Sequence, residues 1–380
     1  MSKRMRPSAP ELEALAVSAH QLALHFCYGR GVAKDYAEAV RLWRLAAAQG
    51  NADAQFYLGC MFKNGRGVAL NFAEAVQLWR LAAAQGHADA QFCLGCMFKN
   101  SQGVAQDFAE AVQLWRLAAA QGHADAQFWL GGHLKTGRGV ALDYAEAVQL
   151  WCLAAAQGHT DAQFCLGRMF KNGRGVARDF AEAVRLWRLA AAQGLADSQF
   201  CLGYMFKTGR GVAQDFADAV RLFSLAAAQG HAAAQYCLGC MFKNGRGVAQ
   251  DFAEAVRLWR LAAAQGRADA QCALGHFFFC GQGVAQDYAV AVQLWRLAAV
   301  QGSAEAQFQL GAMHLTGKGV AMDFAEGNRL IRLAAAQGHA RAQSFVIKSF
   351  IYFSCMCVCG GVCERCPDFQ RSRSLKPSRV

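Results

Sequence analysis

Residues 52–87 read ADAQFYLGCMFKNGRGVALNFAEAVQLWRLAAAQGH, and this stretch decides the fold. In its first part Ala54, Leu58, Met61 and Phe62 stand at i, i+4, i+7 and i+8, one apolar stripe of a helix. Asn64-Gly65-Arg66-Gly67 then ends the pattern, because glycine supplies the left-handed conformation a helix exit needs. A second helix follows. Its clearest opening is one repeat earlier, where Asp35 precedes Glu38 at close to capping-box spacing. Tyr36, Ala39, Trp43, Ala46 and Ala47 form its expected buried stripe, and Gly50 closes it.

The pattern recurs. Gly-Val-Ala begins at Gly31, Gly67, Gly103, Gly139, Gly175, Gly211, Gly247, Gly283 and Gly319, each 36 residues after the last. A period in the range of about 20–50 residues marks a solenoid or propeller. Two helices per period select the solenoid. Short connections make neighbouring helices antiparallel, and stacking buries faces that neither helix could bury alone. The expected fold class is an all-α, right-handed α-α superhelix of nine roughly 36-residue helix-turn-helix units. The first helix of each unit is helix A and the second helix B. The aromatic series Trp43, Trp79, Trp115, Trp151, Trp187, Phe223, Trp259 and Trp295 is expected to be a packing ladder. Small Gly59 and Ala39 are expected to let the two helices approach closely.

The Ala52-Asp53-Ala54-Gln55-Phe56-Tyr57-Leu58-Gly59 opening and the Gly65-Arg66-Gly67-Val68 turn resemble the Sel1-like repeat (SLR) family, a tetratricopeptide-like group of α-solenoids. The family's Trp-Tyr pair is similar to Leu42-Trp43 here, with the large ring shifted by one residue. Leu45 and its copies stand where relatives often carry Lys. The resemblance implies a non-catalytic scaffold or adaptor for protein partners, for example in signalling or ER-associated degradation complexes. It also carries an alternative, the β-lactamase-like hydrolase discussed for cysteine-rich bacterial relatives.

Composition narrows the class. Of 380 residues 54% are hydrophobic and 17% charged, too apolar for a disordered chain. Net charge is +12, which suits acidic partners or nucleic acid, and the sign alone does not choose between them. Sixteen cysteines are too sparse for a disulfide scaffold. The start shows no apolar signal segment, and no uninterrupted apolar run reaches membrane-spanning length. The expectation is a soluble, cytoplasmic protein of a reducing compartment, organised as a disordered segment 1–14, a solenoid 15–343, and a cap or disordered Cys-rich basic tail 344–380.

Nearly identical units make their differences informative. Two helix-A positions, three apart and so on one face, vary most. They supply the candidate partner-binding residues Tyr57, Cys60, Trp129, Arg168, Tyr204, His276 and Gln309. In tetratricopeptide-like superhelices this face is concave, and the competing reading is a poorly packed position. A basic ridge is the second candidate: Lys63, Lys99, Lys135, Lys171, Lys207 and Lys243 end helix A, and Arg66, Arg138, Arg174, Arg210 and Arg246 follow in the turn. Such rows attract an acidic or phosphorylated partner or a phosphate backbone. Without a base-reading motif or interleaved aromatics, nucleic acid is disfavoured. The Leu45 row on helix B is a third candidate surface, to be set against partial burial.

No Ser-x-x-Lys, Gly-x-Ser-x-Gly, His-Glu-x-x-His or phosphate-loop motif occurs, so no enzyme, catalytic residue or cofactor is expected. His87, His123, His159, His231 and His339 follow the glycine that ends helix B and are expected to help set the loop. Cys93/Cys96 and Cys237/Cys240 fall inside helix A, where a redox pair does not belong. Cys272 and Cys280 form one spaced pair similar to those of disulfide-bearing relatives. In the tail, Cys355, Cys357, Cys359, Cys363 and Cys366 stay open between a disordered tail, a solenoid cap, a weak zinc site, and an acylated membrane tether helped by Arg371, Arg373, Lys376 and Arg379.

Overall fold

The structure, a computed structural model, describes residues 9–348. Among these the ordered elements are helices: α1 (Ala9–Tyr28), α2 (Tyr36–Ala48), α3 (Ala52–Asn64), α4 (Phe72–Ala84), α5 (Ala88–Asn100), α6 (Phe108–Ala120), α7 (Ala124–Thr136), α8 (Tyr144–Ala156), α9 (Thr160–Asn172), α10 (Phe180–Ala192), α11 (Ala196–Thr208), α12 (Phe216–Ala228), α13 (Ala232–Asn244), α14 (Phe252–Ala264), α15 (Ala268–Cys280), α16 (Tyr288–Val300), α17 (Ala304–Thr316) and α18 (Phe324–Ala336). Helical residues 340–348 follow. This is an all-α helical-repeat array, with odd-numbered helices as A and even-numbered as B. It divides into two compact units. The first runs to Met205 with Gly209–Ala213, and the second holds Phe206–Thr208 and the chain from Gln214. α1 starts at Ala9, inside the segment 1–14 that the sequence leaves unstructured.

Local chemistry sets the ends. Asp35 caps α2, its carboxylate accepting from the amides of Ala37 and Glu38 at 2.9 and 3.0 Å. The reciprocal half of the expected capping box does not form. The Asp35 amide donates to the Phe26 carbonyl instead, and the Glu38 carboxylate accepts from Arg41. Helix A leaves through a left-handed residue, Gly65 at φ 63° in α3. Ser101 takes that conformation after α5 and is the one non-glycine residue with positive φ among those described.

Packing follows from the ladder. Trp43, Trp79, Trp115, Trp151, Trp187, Trp259, Trp295 and Phe223 are all essentially buried. Trp79, Trp115, Trp151, Trp187, Trp259 and Trp295 each press on helix A of their own pair at a glycine. A Cβ on Gly95 would stand 2.6 Å from Nε1 of Trp115. The close approach lets the indole donate to a helix-A carbonyl, as Trp79 does to Phe56 at 3.0 Å and Trp115 to Phe92 at 3.2 Å. In the first pair Ala23 fills the glycine's place, and the Trp43 indole N–H has no partner.

A second ladder is polar. Gln55 is buried in α3; it donates to the Ala47 carbonyl and accepts from Gln85 at 2.8 Å. It therefore ties the preceding and following B helices to one A helix. The pattern repeats at Gln91–Gln121, Gln127–Gln157 and Gln163–Gln193 in the first unit. In the second it repeats at Gln235–Gln265, Gln271–Gln301 and Gln307–Gln337. A buried amide left unpaired costs about 1–3 kcal/mol, so each rung favours one register of stacking.

Candidate partner-binding face

The first variable helix-A position shares a face with the residue four before it, an acid in most repeats. Gln309 shows the geometry, donating to Glu305 at 2.6 Å. Along this face the candidates divide by exposure. Arg168, Tyr204 and His276 are exposed. Tyr57, Cys60, Trp129 and Gln309 are half-buried. Tyr57 stacks on Trp43 with centroids 5.3 Å apart and planes 9° apart, and Trp129 stacks on Trp115 at 6.1 Å. These two rings extend the packing ladder outward as much as they offer a surface.

The lysines belong to the same face. Lys63 Nζ stands 5.9 Å from the Trp79 ring, Lys135 Nζ 5.9 Å from Trp151, and Lys99 Nζ 3.4 Å from Trp129. Lys63 and Lys135 lie over the tryptophan of their own helix pair, and Lys99 reaches Trp129 of the next repeat. Lys63 counters the burial that pushes the Cys93 thiol up to about 12, and Lys171 does the same at Cys201, pushed up to about 11. Burial also lowers the Lys99 ammonium below its usual range. In the second unit Lys207 faces Cys237, and Lys243 faces Cys240.

Two sequence readings change here. Ridge lysines and groove residues form one surface, because helix-A side chains lean across to the neighbouring repeat, a register invisible within one repeat. The ridge also has aromatic rings beneath it, though the tryptophans of the ladder are covered. The arginines stay apart, at the turn. Arg66, Arg174 and Arg246 lie over Tyr36, Tyr144 and Phe216 at 5.8, 6.0 and 5.7 Å, while Arg138 and Arg210 are exposed.

The acidic residues form a second row at the other end of helix A. Asp53, Asp89 and Asp125 pair with His87, His123 and His159, the residues that cap the following helix A, at 3.2, 3.2 and 3.1 Å. Those histidines are helix N-caps: Nδ1 accepts from an amide three residues on, as at Ala90. The expected loop-setting role is thus a capping role, with the other ring nitrogen joining repeats.

The helix-B leucines Leu45, Leu81, Leu117, Leu153, Leu189, Leu225, Leu261, Leu297 and Leu333 are between 42% and 55% exposed, so each is half covered by its surroundings. Cys272 and Cys280 are free thiols, and the Cys280 sulfur lies 3.6 Å from His276 Nε2. Among the described residues no three or more His, Cys, Asp or Glu are grouped to hold a metal, and no helix is long and apolar enough to cross a membrane. Cys355, Cys357, Cys359, Cys363 and Cys366 lie outside the described residues.

Comparison with known proteins gives a consistent result. The Sel1 repeat family model matches nine times in succession, at residues 16–51, 52–87, 88–123, 124–159, 160–195, 196–231, 232–266, 268–303 and 304–339. Among solved structures the chain is similar to c5321, a protective antigen of uropathogenic Escherichia coli strains with an SLR fold. The TM-score is 0.73 and identity 32%, covering 92% of this chain and 83% of that one. It is also similar to a Sel1 repeat protein from Oxalobacter formigenes, with TM-score 0.63 and 30% identity over 92% of this chain and 96% of that one. No curated protein matches the chain.

Proposed function

The chain belongs to the Sel1 repeat family, and from that premise we propose that it is a non-catalytic scaffold or adaptor holding a protein partner along its helix-A face. One observation carries this reading: the buried ladders repeat almost unchanged, while the two outward helix-A positions change between repeats, from cysteine in several to Trp129, Arg168, Tyr204, His276 and Gln309 in others. Packing asks for sameness, and recognition uses difference. Arg168, Tyr204 and His276 are the residues most available to a partner. Trp129 is the weaker choice, since it already stacks on Trp115 and lies under Lys99.

The test is affinity capture of the tagged full chain from its source cells under reducing conditions, beside a variant with Arg168→Ala, Tyr204→Ala and His276→Ala. Proteins retained by the native chain are expected to be lost from the variant, with its melting temperature unchanged. Equal capture by both refutes the helix-A face. Captured ubiquitin-ligase or ER-membrane components would support the degradation branch of the adaptor reading.

A further inference from the structure

The helix-A face of the first unit has two charged rails. Lys63, Lys99, Lys135 and Lys171 stand in the last turns of α3, α5, α7 and α9, and Asp53, Asp89, Asp125 and Asp161 in the first turns of the same helices. Ten helical residues separate the rails, about 15 Å at 1.5 Å per residue. That exceeds the Debye length of about 8 Å at physiological salt, so an anion on the lysine rail is largely screened from the aspartates. Three of those aspartates are already engaged by the histidines that cap the following helix A.

On the lysine rail Lys171 is exposed and Lys63, Lys99 and Lys135 are half-buried. Where it passes α11 there is a hollow of about 150 Å³ lined by Lys171, Trp187, Phe200, Cys201, Tyr204 and Met205. Its floor is apolar and its rim carries the ammonium and the tyrosine. Exposed Arg168 adds a further cation beside Cys165 and Cys201. The tryptophans beneath the rail are buried and already bonded, Trp151 to the Phe128 carbonyl and Trp187 to Phe164, so they offer no free platform for stacking bases.

We propose that the lysine rail of the first unit seats an extended acidic peptide, with one carboxylate side chain to each repeat. This rests on the reading that the helix-A face holds a protein partner. The spacing supplies the register. Successive A helices meet through side chains, as Lys99 does on Trp129 at 3.4 Å, so one repeat advances the rail by about 10 Å, the upper end of packed-helix spacing, and an extended chain advances about 3.3 Å per residue. Three residues of peptide therefore match one repeat, and the ligand carries Glu or Asp at every third position.

The probe is a fluorescein-labelled peptide of about eighteen residues with Glu at every third position and Ser and Val between. Fluorescence anisotropy with the full chain is expected to show binding that weakens as salt rises. Affinity is expected to exceed by about tenfold that of a peptide of the same composition with its glutamates in one block. A variant with Lys63→Glu, Lys135→Glu and Lys171→Glu is expected to lose about tenfold or more, while its circular dichroism and melting stay native. Lys99 is left in place because it packs on Trp129. Equal binding of the two peptides, undiminished binding by the lysine variant, or tighter binding of an oligothymidine of similar length overturns the proposal. If the lysine variant still captures the proteins that the Arg168/Tyr204/His276 variant loses, the acidic-peptide inference fails and the adaptor reading stands.

Discussion

At the scale of the residue, one glycine per repeat decides how close two helices come. Gly95 has no room for a Cβ, which would meet Trp115 Nε1 at 2.6 Å, Cδ1 at 2.9 Å and the Ala111 carbonyl at 3.1 Å. Its sequence distance from Gly132 is one repeat plus one residue, and the environments are opposite: a Cβ on Gly132 meets nothing within 4 Å. Gly95→Ala is expected to push the indole off the Phe92 carbonyl and cost about 1–3 kcal/mol as an overpacking change. Gly132→Ala is expected to stabilise by about 0.5–1 kcal/mol, through reduced backbone entropy in the unfolded chain. Urea denaturation of both variants checks the pair, and a neutral Gly95→Ala would remove the close-approach argument. Ala23 supplies the natural comparison, since Trp43 opposite it has an unpaired N–H.

At the scale of the element, α7 differs from its sister helices in its last turn. His133 occupies the place held by Met61, Met97 and Met169. It is buried against Trp115, ring centroids 4.9 Å apart, and Nδ1 lies 2.9 Å from the Arg138 carbonyl. Burial holds its pKa below the ordinary value of 6.5; the hydrogen bond to Arg138 opposes this, and the nearby charges of Lys99 and Arg138 add to it. The folded protein therefore takes up this proton less readily than the unfolded chain. Stability is fully present above about pH 6.5 and falls as pH drops through that range. His133→Met is expected to melt higher than the native protein, by a margin that widens between about pH 7 and pH 5. A margin independent of pH would show that His133 acts by volume alone.

At the scale of the whole molecule, thiols recur along helix A in both units, and burial makes them poor nucleophiles. Cys60, Cys201, Cys237 and Cys272 are each pushed up to about 11 and Cys93 to about 12. They remain protonated at neutral pH and act as small lining groups. Peptide mapping after brief iodoacetamide treatment of the native protein is expected to find exposed Cys280 alkylated well before Cys93. Equal rates would indicate that the face opens more than its packing implies. The sequence alone determined the repeat, the helix pairs, the tryptophan ladder and the variable face. Each is a matter of period and local propensity, so Asp35, Trp43 and Arg168 could be read where they stand. The tertiary structure decided which side chains on different helices meet. The lean of Lys63 toward Cys93, the His87–Asp53 contact and the Gln55–Gln85 rung join residues 30 or more positions apart. Nearly identical repeats hide such partners, because every copy offers the same side chain at the same place. Which copy is reached depends on how far helices rotate and approach when stacked, and that is set by packing of Trp79 on Gly59 rather than by any local pattern.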